Sequence, residues 1–139
     1  IARFGNDAWY SADINLQKLE GFHSKHGLLG TVTGVNPPSR FGELIVRGDR
    51  IRSFSEKPQV SQGLINGGFF VFKKDIFDHL TQDANCDFEK GPLEKLAKEN
   101  RLRVYRHPGS WECMDTIRDV NHLNKLWNEK KAFWKLWKD

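Results

Sequence analysis

A chain of 139 residues, 38% hydrophobic and 29% charged, suits one domain around one hydrophobic core and excludes disorder over most of its length. The formal net charge is +4, but Lys and Arg are interspersed with Asp and Glu, which favours small anions over nucleic acid as partners. No apolar run approaches the roughly 20 residues a membrane helix needs, no secretory signal is visible, and Cys86 and Cys113 show neither CxxC spacing nor a His at ligand spacing, so the expected compartment is a reducing cytoplasm.

Ile1 stands in what reads as the middle of a strand and is not Met, so residues upstream of it are expected. Asp13 or Asn15 can cap a helix over about residues 16–26, with Leu16, Leu19 and Phe22 on one side and Gly27 as its stop. His23 and His26, at i and i+3 on that helix, are expected to be solvated or half-buried imidazoles rather than metal ligands. An apolar and β-branched run over 28–35 predicts a strand, stopped by Asn36-Pro37-Pro38-Ser39. The runs 42–46 and 50–55 flank Gly48-Asp49 and predict a hairpin. Residues 64–72 predict another strand, in which Gly67-Gly68 marks either a bulge or the close approach of a ligand.

A short helix is expected over 75–80, and Pro92 reads as the first residue of a helix whose Leu93, Leu96 and Ala97 form an apolar stripe ending near Asn100. Strands follow over 101–107 and 110–115. Thr116, with Asp119 three residues later, opens a last helix through Ile117, Val120, Leu123 and Trp127 with a capping box. The basic stretch from Lys125 to Lys138, interleaved with Trp127, Phe133, Trp134 and Trp137, reads as a helix face with an aromatic anchor. Strands and helices in this mixed order predict a single α/β domain over 1–139, with a mixed, partly antiparallel sheet and flanking helices.

Glu56-Lys57-Pro58 ends the second hairpin strand, and Asn66-Gly67-Gly68 follows on the next. A phosphorylated, polyhydroxylated ligand needs this mixture: the carboxylate accepts from hydroxyls, the ammonium pairs with phosphate, the amide does both, and the glycines let backbone come close. A surface ion pair before a proline, followed by a structural bulge, explains the same residues. Asp115 ends a strand before a capped helix, where it can either take a Mg²⁺ ion that also contacts phosphate or support the helix N-terminus. Asp119 is expected only to cap. Asp7 can supply a second carboxylate to the ion or serve as a turn residue.

Asp7, Thr31-Val32-Thr33, Pro37 to Gly42, Phe54-Ser55-Glu56-Lys57-Pro58, Ile65 to Val71, Pro92-Leu93, Trp111, Met114 to Asp119, Leu126-Trp127 and Phe133-Trp134-Lys135 occur in collinear order. Together they resemble the C-terminal half of sugar-1-phosphate nucleotidylyltransferases, most closely the glucose-1-phosphate cytidylyltransferase branch. The resemblance implies the C-terminal part of a Rossmann-like nucleotidyltransferase fold, with Glu56, Lys57, Asn66 and Gly67 on the sugar phosphate and Asp7 and Asp115 on Mg²⁺. It also implies attack of a sugar-1-phosphate oxygen on the α-phosphorus of CTP, releasing pyrophosphate.

The family's glycine-rich, Arg-bearing loop and Lys-Pro pair, which grip the triphosphate, have no counterpart before Asp7. Catalysis by the chain alone is therefore not expected. Asn6 and Ala8 stand where the family has glycines, and Gly91 where it tends to have an acidic residue before Pro-Leu, with Glu89 nearby. The alternative is a non-catalytic module derived from the family that binds sugar phosphates or self-associates. A homo-oligomer is expected under every reading, since a sheet lacking its other half leaves edges to cover.

Overall fold

The structure, a computed structural model, describes residues 10–38, 43–47, 49–55, 63–80 and 88–137. Its centre is a three-stranded sheet in the order β5 (Ile65–Phe72), β2 (Gly30–Val35), β6 (Leu102–Arg106). β2 pairs antiparallel with β5 and parallel with β6. A two-stranded antiparallel ribbon joins β1 (Tyr10–Ala12) to β7 (Trp111–Cys113), and β3 (Glu43–Arg47) pairs with β4 (Arg50–Ser55) in the expected hairpin. The expected mixed, partly antiparallel α/β arrangement is therefore present. Among the described residues, no helix is long and apolar enough to cross a membrane.

β2 presents alternate residues to opposite faces, as a strand must. Gly30, Val32 and Gly34 share one face. A Cβ on Gly30 would collide with Phe72 and with Leu102, whose Cδ2 would lie at 2.7 Å, so glycine there lets both neighbouring strands close their large side chains over the centre. That end of the face is covered by a core of Leu29, Ile76, Phe88 and Leu96, against which Phe72, Leu80, Leu93 and Leu102 pack. Ile76 comes from a 3-10 helix, Lys74–His79, where a short helix was expected.

The segment around Pro92 departs from expectation. Pro92 does not begin an ordinary helix; it lies inside a π-helical turn, Glu89–Leu93, that runs into α2 (Glu94–Lys98). Proline has no N–H to give the carbonyl of Phe88 four residues back. Leu93, one residue further on, donates to it instead at 3.1 Å. Leu96 is fully buried, Leu93 half-buried and the expected third stripe member, Ala97, exposed. α2 ends with Asn100 in the left-handed region (φ 55°), its N–H donating to Ala97 O and that of Arg101 to Leu96 O. This pattern satisfies two carbonyls that a helix end would leave open.

α1 (Leu16–His26) covers the opposite face. Of the two candidate caps, Asn15 serves: its Oδ1 accepts from Lys18 N–H at 3.0 Å, and Gly27 at φ 68° closes the other end. The expected apolar side is only partly buried, since Leu16 is 45% exposed whereas Leu19 is fully enclosed. His23, expected to be solvated or half-buried, is buried. α3 (Ile117–Asn128) has the expected capping box of Thr116 and Asp119. Beyond it, Lys135 stands over the Trp127 ring and Phe133 meets Trp134 edge to face at 4.9 Å, the expected aromatic anchor.

α1 docks onto β2 through a directed hydrogen-bond chain. Leu28 N–H donates to His26 Nδ1 at 3.1 Å, so neutral His26 carries its proton on Nε2 and donates it to Thr31 Oγ1 at 2.7 Å. The Thr31 hydroxyl, fully buried, is left to donate to His23 Nδ1 at 2.9 Å. Both imidazoles are held below their ordinary range. For His23 the causes are burial, then His26 and Lys73; for His26 they are burial, then Arg103 and Lys73.

Unfolded histidines protonate near pH 6.5. The folded pair resists protonation, so below that pH the unfolded state binds more protons and stability falls as pH drops. The urea midpoint, followed by circular dichroism, is expected to hold steady above about pH 7.5 and decline below about pH 6.5. A His23→Gln, His26→Gln double variant is expected to lose most of that decline.

Candidate functional site

β2 and β6 run parallel and end together at Val35 and Arg106, and antiparallel β5 begins beside them at Ile65. In α/β sheets the carboxyl ends of strands are where loops diverge and open space for ligands. Asn66 lies at this edge, opposite Gly34. Between the pairs Val32–Phe70 and Gly34–Asn66, residues 67–69 of β5 face Thr33 alone, which is the bulge the paired glycines announced.

Gly68 has φ 78°, a conformation L side chains rarely adopt. The close approach there is made by the Tyr10 ring, which fills the space a Cβ on Gly68 would take. On Gly67, a Cβ would meet Val35 Cγ1 at 2.7 Å. The Gly67 carbonyl accepts from Trp111 Nε1 at 3.0 Å, and Tyr10 stacks on Trp111 with ring centroids 5.3 Å apart. The β1–β7 ribbon is thus seated on the bulge by two aromatic rings.

The Asn66 amide has a fixed polarity, because its Oδ1 accepts from Gly68 N–H and its Nδ2 donates to Glu89 Oε1, both at 2.9 Å. Asn66 and Glu89 are exposed. Asn66 also lines, with Val32, Gly34, Leu64, Ile65 and Val104 among others, a concavity of about 380 Å³. It lies at the Val32–Gly34 end of that sheet face.

Asp115 lies two residues beyond β7 and is exposed. Its backbone N–H and that of Thr116 donate to Asp119 Oδ2, and Asp119 N–H donates to Thr116 Oγ1. The helix cap is therefore formed by the Thr116 and Asp119 side chains, as expected for Asp119. Of the sequence-derived site residues, Gly67 lies on the bulge, Asn66 immediately precedes it, and Asp115 follows the strand that starts at Trp111, whose indole is bonded to Gly67. Asp7, Glu56 and Lys57 lie outside the described residues. Among the described residues, no cluster of three or more His, Cys, Asp or Glu side chains is arranged to hold a metal ion unaided.

Sequence reasoning missed a second pairing at this edge. Asp13, considered there only as a helix cap, places Oδ1 2.8 Å from Nε2 of buried His107. The Asp13 carboxylate occupies the space a side chain at Gly109 would need, and its N–H donates to Ser110 O at 3.3 Å. His107 N–H in turn donates to Gly34 O at 2.9 Å. Asp13 thus pins the β6–β7 connection to the end of β2. The two residues stand 94 positions apart, and no local pattern announces such a pair.

Residues 1–135 match the nucleotidyl transferase family. The chain belongs to that family. Over 126 residues it is 45% identical to a Bacillus subtilis protein named "Probable glucose-1-phosphate cytidylyltransferase", covering 91% of this chain and 49% of the relative. It is 43% identical to the glucose-1-phosphate cytidylyltransferase of Salmonella typhimurium, with the same coverage. This nucleotidyl transferase chain therefore spans about half the length of the curated relatives it matches. The inositol-1-phosphate CTP transferase from T. maritima superposes with a TM-score of 0.53 over 96% of this chain and 58% of that one, at 15% identity, a likeness of fold.

Trp111→Phe keeps an aromatic ring but leaves the Gly67 carbonyl without its donor, and is expected to cost about 1–3 kcal/mol in urea unfolding. Gly68→Ala forces a left-handed alanine into the Tyr10 ring, with a loss of similar size, about 1–3 kcal/mol. Because both act on one bulge, the double variant is expected to lose less than the sum of the two.

Proposed function

We propose that this chain, as one domain, forms the sugar-1-phosphate side of a nucleotidyltransferase site that joins glucose 1-phosphate to CTP, giving CDP-glucose and pyrophosphate. The observation that carries the reading is the carboxyl edge of the sheet. There an exposed amide of fixed polarity sits on a glycine bulge, and that bulge is bonded to the strand running into Asp115. The curated relatives named for this activity supply the choice of sugar phosphate and nucleotide.

In this reading Glu56 accepts from a sugar hydroxyl, Lys57 pairs with the phosphate, Asn66 bonds the sugar phosphate, and Gly67 lets the backbone come near it. The sugar-phosphate oxygen is already anionic, so it attacks the α-phosphorus without a general base, and the bond from that phosphorus to the oxygen it shares with the β-phosphorus breaks, so that pyrophosphate leaves with that oxygen. The protein's part is to align the two phosphates and oppose their charge. Asp115 and Asp7 would hold Mg²⁺; an exposed carboxylate at a strand end suits an ion that keeps several waters and shares its ligands with phosphate. When bound, the ion neutralises charge developing on the phosphate oxygens. Half of the relatives' length lies outside this chain, so the chain on its own is not expected to turn over. The reading places the protein in the cytoplasm as a homo-oligomer.

Calorimetric titration of the chain with glucose 1-phosphate is expected to show saturable binding, weakened about tenfold by Asn66→Ala through loss of roughly one hydrogen bond's worth of energy. Asp115→Asn is expected to remove the gain that MgCl₂ brings while leaving metal-free binding intact. Absence of heat at about 10 mM ligand, a concentration that reveals even weak sites, would discard the reading. Pyrophosphate release from CTP by the chain alone would overturn the expectation of no turnover.

A further inference from the structure

We propose that Glu89 is a specificity-determining residue of this site, forming with Asn66 a carboxylate–amide pair that reads neighbouring hydroxyls of the sugar ring. The proposal rests on the sugar-phosphate reading above and adds a residue to which that reading gives no role.

Glu89 opens the π-helical turn that Pro92 imposes. Its neighbours on that turn, Phe88 and Pro92, are buried, while Glu89 itself is exposed. The core therefore fixes where the turn sits, and the turn directs this one carboxylate across to β5. π-helical turns recur at functional sites because the widened turn re-aims a side chain at the cost of regular helix bonding. Here the aim is at Asn66 Nδ2, 2.9 Å from Glu89 Oε1.

The polarity of the pair follows from its bonds. Gly68 N–H fixes the amide oxygen, so the amide nitrogen faces Glu89 and has a second hydrogen to donate. A carboxylate has about four acceptor positions, of which Asn66 takes one. A sugar hydroxyl can donate to Glu89 while the adjacent hydroxyl accepts from Asn66, a two-point contact from which the charge of the carboxylate repels a phosphate anion. Gly91, two residues along the turn, is exposed, and among the described residues nothing lies within 4 Å of where its Cβ would stand. An exposed Asn–carboxylate contact contributes little to folding. Recognition accounts for the arrangement better than stability does.

The test compares the chain with its Glu89→Gln variant, which can still accept from Asn66 but has lost the charge that strengthens a bond from a hydroxyl. Affinities for glucose 1-phosphate, its singly deoxygenated analogues and inorganic phosphate are measured by titration. Glu89→Gln is expected to weaken glucose 1-phosphate about tenfold and leave inorganic phosphate unchanged. One deoxy analogue is expected to bind the unmodified chain about as weakly as the variant binds glucose 1-phosphate, with no further loss when the two changes are combined. Equal affinity of variant and unmodified chain for glucose 1-phosphate overturns the role of Glu89 and leaves the wider function standing. An equal drop for inorganic phosphate also overturns it, by moving the effect to the phosphate. No binding by the unmodified chain removes the wider function and this inference with it. Should circular dichroism show the variant unfolded, the unmodified chain decides the matter, since indifference to every deoxygenation overturns the proposal.

Discussion

Two side chains that are not there hold this structure together. The absence of a Cβ at Gly67 and Gly68 lets the Tyr10 ring and Val35 close onto the β5 backbone, and leaves the Gly67 carbonyl facing the Trp111 indole. A ribbon of two three-residue strands has almost no stability of its own. β1 and β7 persist because their aromatic residues are stacked on each other and seated on the bulge. The same bulge turns the Gly68 N–H towards the Asn66 amide. Folding and the candidate site therefore draw on one irregularity, and the backbone cost of two glycines is offset by docking one sheet on another.

Features governed by a few consecutive residues were legible in the sequence. Asn15 and Gly27 bound α1, Thr116 and Asp119 form the capping box, and the paired glycines mark the bulge, because each acts through its own backbone conformation or a hydrogen bond within a turn. Burial was less legible. Spacing places Leu16 beside Leu19, and Ala97 beside Leu96, but cannot say whether anything covers the outer member of each pair; Leu16 and Ala97 face solvent. His23 went the other way, buried because Thr31 of β2 gives it a partner. The π-helical turn was hidden for a related reason. Proline suits the first position of a helix, but here the missing N–H of Pro92 leaves the Phe88 carbonyl to Leu93 and the turn widens, with Phe88 and Pro92 both buried.

In the candidate site, Asn66 and Gly67 were readable from the mixture of amide and glycines on a strand, and the order of motifs along the chain pointed to the nucleotidyl transferase family. Asp13 with His107, and Asn66 with Glu89, were not readable. The first pair is separated by 94 residues and the second by 23, and each forms only once the strands are in register. Both lie where parallel β2 and β6 end. That edge gathers polar side chains from distant parts of the chain because the parallel strands release their loops there, on the same side of the sheet.

The chain from Leu28 through His26 and Thr31 to His23 has a direction, and the direction begins at a backbone amide that cannot reverse. Each link sets the next, so the three side chains act as one switchless unit: the hydroxyl proton of Thr31 has a single resting place, and neither ring is at liberty to change tautomer by itself. Serine at position 31 would preserve the sequence of donors and acceptors. Valine, although nearly the same shape, would strand one imidazole proton and one imidazole lone pair in the interior, so the packing of α1 on the sheet is constrained by the order of its protons as much as by the fit of its surfaces.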